Sequence, residues 1–394
     1  MAVESAEVCI IGGGCMGAST AYHLARLGIR DIVVIEREAQ LATGSTGRNA
    51  GGVRHQFSDP ANIALSIESI ALLERFEAET GTPIDFWQDG YLFLLSSEAS
   101  EAAFRANVSL QRTAGVEVEW LDAGEAARRV PGLVVDGVRA ATFCARDGIA
   151  DPNGVTMGFA KAAQAAGVRV MRDTEVTGID IEGGRVTGVV TSRGRISTPM
   201  IVNAAGPWAR QIGAMAGVTV PIDPLRRHIF IAQPEKGASW DAPVHRGKVP
   251  ESRLMVIDFE TSFYFHREGA GLLFGMGDPA EASGFDTTVR WDFLPQVTEV
   301  AMTRLPALGD AAITHAWAGL YEMTPDHNPI IGPAGDVAGV FTIAGFSGHG
   351  FMHAPAAGRA LADVIAGRDP KLNLSPFAHA RFAAGRAGGE QNVV

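Results

Sequence analysis

Gly12, Gly14 and Gly17 stand in the spacing G-x-G-x-x-G within "CIIGGGCMGASTAYHLA". Residues 8–11 before them form a short apolar run, and residues 18–27 continue at helical spacing as far as Gly28, a helix stop. A second apolar run, "DIVVIE", ends in Glu36, nineteen residues after Gly17. Strand, glycine turn, helix, strand and acid together are the setting of a dinucleotide site. Gly12 permits the tight turn, Gly14 lets the backbone approach a pyrophosphate, and Gly17 lets helix and strand pack closely. The helix N-terminus offers free N–H groups to the phosphates, with Gly13, Cys15 and Met16 around them. Glu36 accepts from a ribose diol, with Arg37 next to it. An acid there disfavours a 2′-phosphate and leaves FAD and NAD open.

Two further stretches carry groups that could do chemistry. "LATGSTGRNAGGVRHQF" (41–57) is a small, polar, glycine-rich loop that reads as held against a ligand. In it, Ser45 and Thr46 can donate to phosphate or ribityl oxygens, Asn49, Ala50, Gly51 and Gly52 keep the backbone small, and Arg48 and Arg54 bring charge. Arg54, beside His55 and among apolar residues, is expected to be buried and paired. "GFSGHGFMHAPAAG" (345–358) is a second strand–glycine turn–helix unit, with Gly348, His349, Gly350, Phe351 and Met352 at its turn.

The elements that must position these residues follow from pattern. The spacing predicts helices over 61–80, 104–115, 151–167 and within 291–308, and a strand over 89–95. Residues 168–209 alternate short strands, including Val176, with glycine turns. They end in an apolar strand and a second small-residue turn, Ala204, Ala205 and Gly206, followed by Trp208. Residues 221–312 hold more aromatics, prolines and strand-like runs, the mark of an antiparallel sheet that roofs a pocket. The fold class is therefore α/β, a Rossmann-like nucleotide domain (1–85, 150–220 and 315–394) interleaved with an α+β substrate domain (86–149 and 221–314).

Bulk properties bound the function. The chain has 394 residues, 46% hydrophobic and 20% charged, and a net charge of −11 without a basic cluster. Nucleic acid and anionic membrane are poor partners for it. Cys9, Cys15 and Cys144 make no C-x-x-C pair, so no metal site or disulfide framework is expected, and a cytoplasmic location is. Residues 1–8 lack the positive charge of a secretory signal, and no apolar run is long enough to span a membrane.

Five motifs in order, the N-terminal glycine turn with Glu36, "STGRNAGGVRH", "IVNAAGPWA", "GLYEMTPDHNPIIG" and "GFSGHGFMHAPAAG", resemble the D-amino-acid oxidase superfamily of flavoproteins. The nearer likeness is to its sarcosine oxidase, glycine oxidase and sarcosine and proline dehydrogenase branch. The resemblance implies FAD, two interleaved domains and oxidation of the C–N bond of an amino acid, often N-substituted, with electrons passed to oxygen, a carrier or a partner subunit. It implies that the first turn holds the pyrophosphate and that Ser45, Thr46 and Arg48 line the flavin. Arg54 would grip a substrate carboxylate, and residues 348–351 would sit at the flavin pyrimidine. Tyr264, His266 and Tyr321 are candidates for the pocket wall or for proton relay. The sequence departs from sarcosine oxidase in three places. Gly319 falls where that enzyme has its flavin-linking cysteine, so the FAD is expected to be non-covalent; Met352 replaces a carboxylate-binding lysine; and "GLLFGMG" lacks the lysine that promotes reaction with oxygen. The competing readings are a non-catalytic FAD-binding assembly protein and a nicotinamide dehydrogenase, the latter leaving the second turn without a task.

Overall fold

In a computed structural model the chain is described over residues 4–234, 239–384 and 389–393. Two buried four-residue strands, Val8–Ile11 and Ile32–Ile35, lie side by side in a six-stranded sheet. Their unbroken apolar sequence suits a parallel sheet covered on both faces. The strand order is Arg169–Met171, Ile32–Ile35, Val8–Ile11, Ile201–Asn203, Val340–Ala344 and Ile330–Pro333. Only the last is antiparallel to its neighbour. Arg169–Met171 was expected in the small-strand meander, but it pairs in parallel with Ile32–Ile35. Strands Val176–Glu182, Arg185–Thr191 and Gly194–Ser197 form that meander, and Glu4–Ser5 closes its edge.

Helix Cys15–Arg26 covers the parallel sheet and packs on helices Pro152–Ala165 and Gly350–Ile365. Close approach is possible because Gly358 faces Ser19, and any side chain at 358 would strike Ser19. The two strand–turn–helix units, far apart in sequence, are thus neighbours on one sheet. Val202 pairs with both Ile10 and Phe341, so a single strand separates the two.

The second large sheet has eight strands in the order Ala311–Met323, Asp223–Pro234, Gly271–Met276, Phe263–Glu268, Met255–Asp258, Tyr91–Leu95, Ala140–Cys144 and Glu119–Leu121. All neighbours are antiparallel except Met255–Asp258 with Tyr91–Leu95. Alternation along the strands sorts the side chains. Leu92, Leu94, Phe230, Val256 and Phe265 face a core capped by helix Leu294–Arg304. Tyr91, Ile229, Met255, Ile257 and Tyr264 face the other way, towards a cavity. Strand Ala311–Met323 runs on through a bulge at residue 314 and carries both sheet pairing and cavity residues.

The helix expected over 61–80 is two helices, Pro60–Glu74 and Phe76–Thr80. The break lies at Arg75, with φ −107° and ψ 8°. The helix expected from 104 begins at Glu98, because Ser97 and Ser100 form a capping box that starts it earlier. No helix of the described residues is long and apolar enough to cross a membrane.

Candidate functional site

The first turn is built by backbone conformation. Gly12 has φ +115°, and a side chain there would strike the Ala204 carbonyl, so the turn sits directly against the 204–206 turn. Gly14 caps helix Cys15–Arg26 without a side chain of its own, so nothing at the cap position stands between an anion and the helix N-terminus. Glu36 braces the turn: its carboxylate accepts from Gly13 N at 2.7 Å and from Glu38 N at 2.9 Å. Thr46 Oγ1 accepts from Cys15 N at 3.2 Å and ties the 41–57 loop to the same helix end.

These residues line a cavity of about 450 Å³. Gly12, Gly13, Gly14, Cys15, Met16, Glu36, Arg37, Ser45, Thr46, Arg48, Val176, Ala204, Ala205, Gly206 and Trp208 all border it. At its outer end the Arg37 guanidinium lies 3.8 Å over the Trp208 ring, which stacks on Phe285. Gly17 does not border it; it packs on the Gly12 carbonyl where helix meets strand.

A second cavity of about 130 Å³ adjoins the first, and Cys15, Ser45, Thr46, Arg48, Leu320 and Glu322 border both. Asn49, Ala50, Gly52, Arg54, Tyr264, Gly319, Gly348, His349, Gly350, Phe351 and Met352 border the second. Gly51 is not on either wall; its N–H donates to Asn49 Oδ1 at 2.6 Å inside the loop. Arg48 turns its guanidinium to the Ala318 carbonyl at 2.8 Å, and Ser45 Oγ donates to the Leu320 carbonyl at 2.6 Å. Both pin the loop to strand Ala311–Met323.

Arg54 is 4% exposed and lies 3.8 Å over the Phe57 ring. Its partners are carbonyls: Nη1 donates to Gln56 O and Nη2 to Asn392 O, each at 2.5 Å. Its neighbours occupy the nearby acid. Asp147 accepts from the His55 ring at 2.6 Å, from His55 N at 2.8 Å and from Gln56 Nε2 at 3.1 Å. Cys144 lies within 4.8 Å of His55 and Asp147, but burial pushes its thiol up in pKa, and the acid is already satisfied by hydrogen bonds.

Burial displaces the titration of several groups at the site. Burial, then the nearby His353 and Arg54 charges, hold His349 well below the ordinary histidine range, so its ring is neutral. Its Nε2 has no partner among the described residues. Burial raises Tyr264 and Tyr321 above the usual phenol range, which keeps both protonated. Glu322 is raised by burial to about 7, offset in part by Gly345 N, which donates to it at 2.9 Å.

The sequence reading did not select Arg227, Tyr91, Glu322, Ser347 or Val393, all of which border the smaller cavity. Arg227 lies 5.0 Å from the Tyr321 ring centre. Alternation identifies it: Arg227 and Ile229 share a face, while Arg226 turns to Glu281 at 2.9 Å and Asp286 at 2.6 Å. Gly275 lies under the Tyr264 ring, and a side chain there would displace it. His266 and His228 are off the cavities: His266 Nδ1 meets the Arg267 carbonyl at 2.8 Å, and His228 Nε2 accepts from Arg290 N at 3.1 Å.

Three comparisons bear on this geometry. The family model described as "DAO: FAD dependent oxidoreductase" matches residues 7–364. The chain is 31% identical over 396 residues to "Sarcosine dehydrogenase, mitochondrial" of Homo sapiens, covering 96% of this chain and 42% of that protein. It therefore spans less than half of that relative's length. It is 31% identical over 439 residues to "FAD-dependent oxidoreductase domain-containing protein 1" of Xenopus laevis, covering 99% of this chain and 85% of that one. Among solved structures, L-proline dehydrogenase from P. horikoshii superposes with a TM-score of 0.88 at 36% identity, covering 98% of this chain and all of the other.

Proposed function

Because the chain belongs to the DAO family of FAD-dependent oxidoreductases, we propose that it oxidises the C–N bond of an amino acid or N-alkyl amino acid, with FAD held non-covalently across the two joined cavities. The observation that supports this most is the junction itself. A phosphate-type turn opens one cavity, Arg54 and Arg227 stand in the other, and the two cavities share residues 15, 45, 46, 48, 320 and 322. The residues fit such a cofactor. Gly14 brings no side-chain acceptor to the helix end, and Glu36 borders the same cavity, nineteen residues after Gly17 as the fingerprint requires.

When bound, FAD supplies an acceptor for a hydride equivalent from the substrate α-carbon. The chain's own residues bind and orient. Arg48, on the same wall, is turned to the Ala318 carbonyl, so Arg54 and Arg227 are the cations that would hold a substrate carboxylate. Tyr91, Tyr264 and Tyr321 stay neutral and surround the substrate with hydroxyls and ring faces. Met352 and Phe351 give the opposite wall an apolar surface suited to a small aliphatic body. Helix Gly350–Ile365 begins at this cavity with no side-chain cap, so its positive end favours negative charge beside His349. Cys15 is the thiol on these walls, and burial raises it to about 11, which disfavours a thiolate link to the cofactor.

The electron acceptor we propose is a carrier or partner protein, since strand Gly271–Met276 presents Gly275 and no lysine to the cavity side. The test is anaerobic mixing of the flavin-loaded protein with glycine, sarcosine, dimethylglycine and the two prolines. At least one should bleach the oxidised-flavin absorbance, and bleaching by none of these or of a wider amine panel overturns the reading. Peroxide release that keeps pace with dye-linked turnover would instead make it an oxidase.

A further inference from the structure

Residues 389–393 have no periodic pattern and belong to no helix or strand, yet they carry a completely enclosed acid near the site. Glu390 has no exposed surface and is in none of the described ion pairs. Its carboxylate is held by donors instead. It accepts from Ser58 N at 2.9 Å, Ser58 Oγ at 2.7 Å, Asp59 N at 3.1 Å, Asn62 Nδ2 at 3.1 Å and Asn392 N at 2.9 Å. Three of these donor residues stand at the start of helix Pro60–Glu74, whose positive end adds to the attraction. A buried carboxylate without this set would be strongly disfavoured, so the segment has one place to sit.

The neighbouring residues reach the smaller cavity. Glu390 N donates to the Asp326 carbonyl at 3.2 Å, and Asn392 Nδ2 donates to the Gln56 carbonyl at 3.2 Å. The Asn392 carbonyl receives Arg54 Nη2, and Val393 lies on the wall that also holds Arg54, Tyr91, Tyr264 and Met352. Arginine has five N–H groups, and the two bonds to Gln56 O and Asn392 O leave three for a ligand. Phe57 fixes the plane of the guanidinium.

We propose that residues 390–393 are a specificity-determining wall of the substrate cavity: Glu390 clasps the segment, the Asn392 carbonyl sets the orientation of Arg54, and Val393 limits the size of the group that Arg54 can receive. This rests on the reading of the cavity as a carboxylate site. Glu390 is a positioning residue, because it acts through Asn392 on Arg54. Met352 and Val393 border the same small space from different elements, so the bulk allowed beside the carboxylate is set by both.

The experiment measures acetate and benzoate binding to the flavin-loaded protein by perturbation of flavin absorbance. Glu390→Ala should weaken acetate at least about tenfold by freeing Arg54, while FAD affinity stays within about twofold. Val393→Phe should weaken benzoate far more than acetate, and Val393→Gly should favour benzoate, with the clasp intact in both. If Glu390→Ala does not fold, the two Val393 variants decide. A folded Glu390→Ala protein that binds acetate as the wild type does overturns the proposal, as does an equal change in both carboxylates across the Val393 pair. Failure of the wild type to bind either carboxylate overturns it too. If the carboxylates behave as expected but no amine reduces the flavin, the proposed function falls and the wall stands.

Discussion

Glu322 carries a test of the site's electrostatics that needs no substrate. Its carboxyl borders both cavities, accepts from Gly345 N at 2.9 Å, and is raised by burial from 4.5 to about 7. A carboxyl raised on folding acts opposite to the usual salt-bridged acid. Below about pH 4.5 it is protonated in both the folded and unfolded chain and has no effect. As pH rises towards 7, the unfolded chain ionises first, so stability falls, and above 7 the loss levels off. At 1.4 kcal/mol per pH unit the full loss is about 3 kcal/mol, and exposure of the carboxyl to the cavities reduces it to about 2 kcal/mol. Glu322→Gln keeps an acceptor for Gly345 N but cannot ionise. Urea unfolding of the FAD-free protein from about pH 5 to about pH 8 should show the glutamine variant gaining on wild type by about 2 kcal/mol across that range. A difference that stays constant with pH, or that grows in favour of glutamate, refutes the argument that Glu322 is buried against its charge.

Glu36→Gln should weaken FAD by about 10- to 100-fold in titration of the FAD-free protein, because the carboxylate both awaits a ribose and braces Gly13 and Glu38. Arg227→Gln should raise KM for the amino-acid substrate about 10- to 100-fold while FAD affinity is unchanged; an unchanged KM removes Arg227 from the carboxylate site. Met352→Lys should tighten small N-methyl amino acids in steady-state KM, and no change would mean that residue 352 does not face the substrate. Gly348→Ala should destabilise by about 2 kcal/mol or more in thermal unfolding, since Gly348 has φ +98° and a Cβ there runs into the Tyr321 ring.

What the sequence revealed and what it hid divide along a physical line. The first turn, Glu36 and the 345–352 turn were legible because local rules make them: a glycine spacing, a period and a helix start lie within some twenty-five residues. The assignment of Arg226 and Arg227 was not. They are adjacent, and which of them faces the cavity depends on Glu281 and Asp286, contributed by a distant loop that draws Arg226 away. Residues 389–393 were less legible still. Nothing in "GEQNV" signals burial, and Glu390 is enclosed only because Ser58, Asp59 and Asn62, more than 300 positions earlier, turn their donors to it.

Arg54 shows how a correct residue can have an unexpected environment. Beside His55 it promised a buried pair, and the acid that His55 meets is Asp147. Both oxygens of Asp147, however, are taken by His55 and Gln56. Arg54 is left with two carbonyls, neutral acceptors that fix its orientation without cancelling its charge. Arg227 on the facing sheet likewise has no carboxylate within 4.0 Å among the described residues. With Arg54 and Arg227 in no ion pair among the described residues and burial disfavouring the charge of Glu322, the cavity favours an anion. On the proposed reading, that preference would select a carboxylate before any reacting group is considered, and Met352 and Val393 would then select among carboxylates by the bulk they leave room for.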